Sequence, residues 1–393
     1  MEMIPVFRPS YGEEEVEAVR RVLASGWAGL GPETQRFEEA FGAYIGVPHA
    51  LATNSCTAAL HLAMIAAGVE GGEVISPSLT FVSTNHAILY AGARPVFADV
   101  EEETLTIDAD AVERLITPRT RAITAVHYGG HPARMDRLRE IASSRGISLI
   151  EDAAHACGAA FRGQKVGSLG DIACFSFHAV KNLATGEGGM LTFSRADLES
   201  RLRRLRWLGI DRSTYDRAGS GRTYSWSYEV EELGFKYHMN DIPAAIGLVQ
   251  LAKLETMNQR RRAIAALYDE AFQQCGGIRT PVTRDGVVNA THNYVIRVDE
   301  ERRQPLIDRL AQRGIAAGVH YIPNHLYALY AGDRCRLPVT ERVFKTLVTL
   351  PLFPDMTQEQ IERVIEAVRS FTQAGTRAAT RGSGRRAAAS TGV

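Results

Sequence analysis

The sequence predicts an α/β protein: a large, doubly wound, mostly parallel sheet domain followed by a smaller α+β domain. Three observations carry that reading. Short apolar runs (Glu73-Val-Ile-Ser-Pro, Pro95-Val-Phe-Ala-Asp-Val, Ala122-Ile-Thr-Ala-Val-His127) have the length and continuity of strands buried on both faces. Helically spaced segments, Asp110 to Leu115 and Ala133 to Ser144, alternate with them. The chain, at 393 residues, exceeds one ordinary domain. The expected division is 1–250 for the large domain and 251–372 for the small one, with 373–393 as a disordered tail.

From the N-terminus, Glu13 to Ser25 carries apolar residues at 16, 19, 22 and 23 among charges, which is helical spacing. Trp27-Ala-Gly-Leu-Gly-Pro32 breaks it, and Glu33 to Tyr44 resumes a helix with Phe37, Ala40, Phe41 and Tyr44 on one face. Ala50 to Leu60 reads as a short strand, a polar turn and a helix starting near Thr57, whose free N–H groups suit an anion as well as a simple cap. Arg201 to Leu208 is a basic helix with a solvated face, and Asp211 to Tyr228 has no period and reads as a loop. A helix ends the Glu232–Leu251 stretch, a second covers Arg260 to Gln274, and Cys275-Gly-Gly opens the small domain. There, His292 to Val298 alternates as a strand, Arg302 to Arg313 is an amphipathic helix, and Glu359 to Phe371 closes the fold. The tail holds four arginines, no acids and mostly small residues, too little to bury a core.

Composition narrows the functional classes. Lys+Arg equals Asp+Glu at 45 each, so no global field calls for nucleic acid or an anionic membrane. Five widely spaced cysteines without a Cys-x-x-Cys pair suit reduced thiols in the cytoplasm. No stretch approaches the roughly 18 apolar residues of a membrane span, and the polar N-terminus lacks a signal-peptide core. No metal-ligand spacing, phosphate-binding Walker loop or Ser/His/Asp arrangement is visible.

The chemistry concentrates in two stretches. Leu149-Ile-Glu-Asp-Ala-Ala-His places Asp152 at the carboxyl end of an apolar run, where ligands of parallel α/β sheets gather. Asp152 equally suits an N-cap. Downstream, Ile172 to Phe177 leads to Lys181 and a glycine-rich turn, so the lysine sits where a strand ends and can be shielded from water. A surface lysine is the plain alternative. An acid followed by a lysine past the next strand is the pairing that pyridoxal 5'-phosphate requires: the lysine forms the Schiff base, and the carboxylate keeps the ring nitrogen protonated.

Glu151-Asp-Ala-Ala-His-Ala, Phe175-Ser-Phe-His-Ala-Val-Lys-Asn and Thr185-Gly-Glu-Gly-Gly together resemble the DegT/StrS-type sugar aminotransferases, over about Pro5 to Phe371. The resemblance implies fold type I, a homodimer with shared active sites, and transfer of an amino group from L-glutamate, released as 2-oxoglutarate, to a nucleotide-linked ketosugar. It implies that Lys181 and Asp152 are catalytic and that the turn at Cys56 and Thr57, with Ser176, holds the cofactor phosphate. Cys56 stands where the family commonly has glycine. Phe81 is implied to stack on the ring and His155 to pack near it; core phenylalanine and structural histidine are the alternatives. Lys236 and His238 replace the asparagine and arginine of the family's Gly-Tyr-Asn-Tyr-Arg-Met-Thr-Asp stretch, where the asparagine reaches the partner subunit's cofactor phosphate. His325 matches the histidine of a Tyr-x-Pro-Leu-His segment and is a substrate candidate, or a loop histidine. The Phe-His-x-x-Lys-Asn and Thr-Gly-Glu-Gly-Gly patterns follow members that aminate C4 of 4-keto-6-deoxy sugars, with dTDP as the expected carrier; C3 ketosugars and cyclitol ketones are the rival acceptors. Relatives that act as dehydratases replace the lysine with histidine, and this chain keeps Lys181. A non-catalytic member of the fold would have less need of Asp152, Ser176 and Lys181.

Overall fold

The computed structural model describes residues 2–218, 226–332 and 335–387. Strands β1 (His49–Thr53), β2 (Glu73–Pro77), β3 (Arg94–Ala98), β4 (Thr120–Val126) and β5 (Ser148–Asp152) precede two short strands, β6 (Ala160–Phe161) and β7 (Gln164–Lys165). Next come β8 (Ile172–Ser176) and β9 (Gly189–Phe193), then β10 (Ile278–Arg279), β11 (Val287–Val288), β12 (Tyr294–Val298) and β13 (Leu347–Leu350). Seven of them form one sheet in the order β1-β9-β8-β5-β4-β2-β3. It is parallel except at β9, which runs against both of its neighbours.

Alternation across that sheet explains the continuous apolar runs. Leu149, Ala173 and Phe175 enter one core, while Ile150, Ile172 and Cys174 enter another on the opposite face. Helices α1 (Glu13–Ala24), α2 (Pro32–Ile45), α3 (Cys56–Ala66), α4 (Val82–Tyr90), α5 (Ala109–Leu115), α6 (Met135–Arg145) and α7 (Ala196–Arg206) surround the sheet. A short α8 (Thr214–Ala218) lies in the stretch read as a loop, whose residues 219–225 are outside the described ones. Edge strand β1 is closed by side chains: the Glu38 carboxylate accepts the Ala52 N–H, and buried Arg206 donates to the Ala52 carbonyl.

One expectation is corrected by the backbone. The helices read as separate around 251 and 260 are one, α9 (Asp241–Phe272), of 32 residues, so the division at 250/251 falls inside a continuous helix. Buried Gln250, Asn258 and Arg261 keep it intact while erasing the apolar period. Beyond it lie α10 (Glu300–Gln312), α11 (Pro338–Phe344) and α12 (Gln358–Ala387). In the stretch expected as a tail, α12 runs on to Ala387, and 388–393 lie outside the described residues. Ile4, near the N-terminus, packs in the C-terminal core with Tyr268, Ile296 and Val364, so that core draws on both ends of the chain.

Asp241 fixes how α9 meets α2. Its carboxylate, 1% exposed, accepts from the N–H groups of Gly31, Glu33 and Thr34 and from the Thr34 hydroxyl at 2.8–3.2 Å. These are the unpaired donors of the α2 N-terminus. Asp241→Ala strands them and is expected to destabilise the protein by about 3 kcal/mol. Urea unfolding measures it; a loss below ~1 kcal/mol would mean that water replaces the carboxylate.

Candidate active site

A cavity of about 370 Å³ opens at the carboxyl ends of β4, β5 and β8, where α3 and α4 also begin. The size suits a small cofactor with part of a substrate. A larger, polar depression of about 510 Å³ lies between α2, α7 and the start of β1. Its main charges already satisfy one another: Glu38 binds Arg203 and Arg206, and Glu199 binds Arg203 and His49. The first cavity, by contrast, gathers side chains with chemistry to spare.

Asp152, the last residue of β5, is 4% exposed. One carboxylate oxygen accepts from the Thr84 hydroxyl at 2.7 Å, the other from the Ala154 N–H at 3.1 Å. Burial raises its pKa, opposed by those two donors and by the positive charge of Lys181. Thr84 in turn meets the Thr80 hydroxyl at 2.8 Å, so the first turn of α4 orients the acid.

Lys181 follows β8 in a loop pinned by main-chain bonds: Ala179 to Gly186, Lys181 to His178, Thr185 to Phe177. Gly189, where β9 begins, lies so close to the Ser55–Cys56 peptide that a Cβ would sit 2.5 Å from it. This close approach brings the lysine loop against the turn before α3. The neighbouring Asn182 is buried, donates to Asn258 and the Ala290 carbonyl, and accepts from His292. Burial of the Lys181 amine pushes its pKa down to about 8, with Cys56 and Asp152 pulling the other way.

The opposite side of the cavity suits an anion. Ser55 caps α3 by accepting the Ala58 N–H at 3.1 Å, and Cys56 and Thr57, in the first turn, line the cavity beside Ser176. Burial drives the Cys56 thiol well above its ordinary pKa, so it stays protonated and has no nucleophilic role. Phe81 lines the cavity while 56% exposed, an aromatic face with nothing packed over much of it. His155 is buried, its Nδ1 3.3 Å from the Gly129 N and its Nε2 3.1 Å from the Tyr321 hydroxyl.

Cys56, Thr57, Phe81, Asp152, His155, Ser176 and Lys181 thus share one cavity. Lys236, His238 and His325 do not line it. The Lys236 ammonium lies 4.1 Å from the Trp207 ring centre, and His238 meets the edge of the same ring. Both flank the outside of the β1–α3 turn, where Asn54 bonds to the carbonyls of Lys236 and Tyr237. His325 is buried against Ser78 at 2.7 Å and tethers its loop to the end of β2, the packing expected of a loop histidine. Thr84 and Tyr321 went unassigned in the sequence. Tyr321 stands in the same Tyr-x-Pro segment as His325, and it lines the cavity with its ring centre 5.7 Å from that of Phe81.

The donor set fits pyridoxal phosphate. A buried carboxylate would hold the ring nitrogen, the amine would hold the aldehyde carbon, a helix N-terminus with Ser176 would take the phosphate, and Phe81 would cover the ring.

Comparison with known proteins agrees. The family model described as the DegT/DnrJ/EryC1/StrS aminotransferase family matches residues 9–369. The spore coat polysaccharide biosynthesis protein SpsC of Bacillus subtilis is 42% identical over 380 residues, 94% of this chain and 97% of that one. The sugar aminotransferase CalS13 of Micromonospora echinospora superposes with a TM-score of 0.86 at 34% identity, covering 94% of this chain and 100% of its own. Spr1654 of Streptococcus pneumoniae, solved in PMP and PLP forms, gives TM-scores of 0.89 and 0.88 at 31% identity, covering 94–95% of this chain and 99% of its own.

Proposed function

Given that the chain belongs to the DegT/DnrJ/EryC1/StrS aminotransferase family, we propose that it moves the amino group of L-glutamate onto C4 of a nucleotide-linked 4-keto-6-deoxy sugar. It is a pyridoxal-phosphate-dependent sugar aminotransferase of sugar biosynthesis. The observation that carries the reading is Lys181 and Asp152 lining one cavity at the carboxyl ends of β5 and β8.

Bound pyridoxal phosphate supplies the electron sink for the carbon that loses a proton. Asp152, which accepts from Thr84 and Ala154, would hold the positive charge at the ring nitrogen. The Lys181 amine, with its pKa near 8, both takes and returns the proton at the reacting carbon within the ordinary pH range. Ser176 and the α3 N-terminus would anchor the phosphate and so keep the amine in reach of the reacting carbon.

C4 is supported by the Phe177-His-x-x-Lys181-Asn and Thr185-Gly-Glu-Gly-Gly patterns, which put His178 and Glu187 on the cavity wall. A dTDP carrier, a homodimer and a cytoplasmic location complete the proposal. Lys236, next to the β1–α3 turn but outside its own protomer's cavity, fits a residue lent to a partner's phosphate as a point charge. Among the described residues no helix is long and apolar enough to cross a membrane.

The test follows the cofactor's long-wavelength absorption band. L-glutamate is expected to bleach it, and a dTDP-4-keto-6-deoxy sugar to restore it. Restoration by a 3-ketosugar or a cyclitol ketone, with the 4-ketosugar inert, would overturn the C4 assignment.

A further inference from the structure

The middle of α9 carries a buried polar stripe that lies outside the cavity. Gln250, Leu254, Asn258 and Arg261 are all buried, and their spacing of three and four residues puts them on one face of the helix. That face meets the loop of the reacting lysine residue by residue. Gln250 Oε1 accepts the Ala184 N–H at 3.5 Å, Leu254 shares an apolar core with Leu183, and Asn258 Oδ1 accepts from the Asn182 amide at 2.8 Å. Gly158, at a φ of +90°, clears the way. A Cβ there would sit 2.4 Å from Asn258 Nδ2, which donates to the Cys157 carbonyl.

Arg261 sets the direction of this chain of bonds. A guanidinium only donates, so the Asn258 oxygen that it meets at 3.3 Å is the acceptor. Asn258 turns the same oxygen to Asn182, whose two N–H groups go to Asn258 and to the Ala290 carbonyl, both at 2.8 Å. The Asn182 oxygen is left to accept from His292 Nδ1 at 3.0 Å. Gln250 Nε2 donates to the Ser10 carbonyl and to Glu15, each at 2.8 Å, which leaves its oxygen for Ala184. Burial lowers the Arg261 pKa to about 10, so the group stays charged at neutral pH and keeps this polarity.

Stability alone does not require such a face. Leu183 and Leu254 show that apolar packing fits here, and apolar groups of the same shape can replace a buried polar network at little cost. What the polar stripe adds is a single register. Residues 182 and 184 are bonded to α9 in one arrangement only, and Lys181, the next residue, is fixed with them.

We propose that Gln250, Asn258 and Arg261 are positioning residues that mount the lysine loop on α9 and so hold the Lys181 amine in line with the carbon whose proton it moves. This rests on the cofactor reading of the cavity. None of the three lines that cavity, so each acts through the loop. A displacement of about 1 Å at a proton-transferring group lowers its rate by roughly 10²-fold.

The experiment is single-turnover bleaching of the holoenzyme's long-wavelength band by L-glutamate, and by L-glutamate deuterated at the α-carbon. Wild type, Asn258→Ala and Arg261→Met are compared. Asn258→Ala removes the acceptor of Asn182, and its limiting rate is expected to fall about 10²-fold. Half-saturation by glutamate should not change, and the deuterium effect should be no smaller than in wild type, because the slowed step is the one that moves the proton. Arg261→Met leaves the Asn182 and Cys157 bonds possible and removes only the group that orients them. Its expected loss is about tenfold, the equivalent of one hydrogen bond, and it carries the test by itself if Asn258→Ala does not fold. Wild-type limiting rates with only a lowered melting temperature would make the stripe purely structural and overturn the proposal. A slowed rate without a deuterium effect, or a raised half-saturation at an unchanged limiting rate, would overturn it as well. Wild-type protein that gives no band with pyridoxal phosphate would overturn the cofactor reading instead, a separate and recognisable failure.

Discussion

Lys181→Ala is expected to lower turnover by about four orders of magnitude and to leave pyridoxal phosphate without its covalently linked absorption band. Proton transfer by a positioned group accounts for roughly 10²–10⁴ of that factor, and loss of the attacking amine adds to it. The loop should survive, because its shape comes from main-chain bonds and from Asn182, not from the lysine side chain. The same amine sets a pH dependence in the wild type. Its pKa, about 8 when folded, lies below the 10.5 of an unperturbed lysine. Below pH 8 the amine is protonated in both folded and unfolded states, and the penalty for burying its charge is fully present. Between pH 8 and 10.5 the folded protein sheds the proton first, and the penalty disappears. Two measurements follow. Cofactor capture by the apoprotein should accelerate with pH and level off above about 8. The melting temperature of Lys181→Ala should equal or exceed that of wild type below pH 8, with the difference closing as pH rises. A capture rate flat from pH 6 to 9 would mean that the amine is not the attacking group.

How much of this was legible in the chain depends on the range of the forces involved. The sheet was readable because strands buried on both faces leave continuous apolar runs, and its helices because their apolar stripes are short-period patterns. Asp152, Ser176 and Lys181 were readable because each sits at a strand end within a local motif. Thr84 was not: it reaches Asp152 across 68 residues, and nothing in a threonine's neighbours announces a distant carboxylate. The bond from His155 to Tyr321 spans 166 residues. In that segment the residue matched by sequence, His325, turned out to tether a loop, while Tyr321 four residues earlier faces the cavity. The unity of α9 was hidden for a related reason. Asn258 and Arg261 are buried within it because each finds a polar partner, in the Cys157 carbonyl and in Asn258 itself. A helix whose buried face is polar in the middle reads as two helices.

Asp152→Asn is expected to cut turnover by about 10³-fold while leaving the fold intact. Asparagine fills the same volume and its oxygen still accepts from Thr84, yet it carries no charge to hold a proton on the ring nitrogen, and fixed charge of this kind is worth roughly 10²–10³ in rate. The stability consequence runs in the other direction. Burial raises the Asp152 pKa, so the folded apoprotein bears the cost of a buried charge at any pH above that value, and loses that cost only as the pH falls through it toward 3.8. At neutral pH the uncharged amide removes the cost, and the apo form of Asp152→Asn should melt at the same temperature as wild type or higher. Pyridoxal phosphate offsets the penalty only in wild type, where the positive ring nitrogen meets the carboxylate. The rise in melting temperature on adding saturating cofactor should therefore be smaller in Asp152→Asn. Scanning calorimetry of both proteins, with and without pyridoxal phosphate, reads the effect directly. Equal gains in the two proteins, or a variant retaining more than about a tenth of wild-type turnover, would show that the carboxylate does not meet the ring nitrogen, and the orientation of the cofactor between Asp152 and Lys181 would have to be given up.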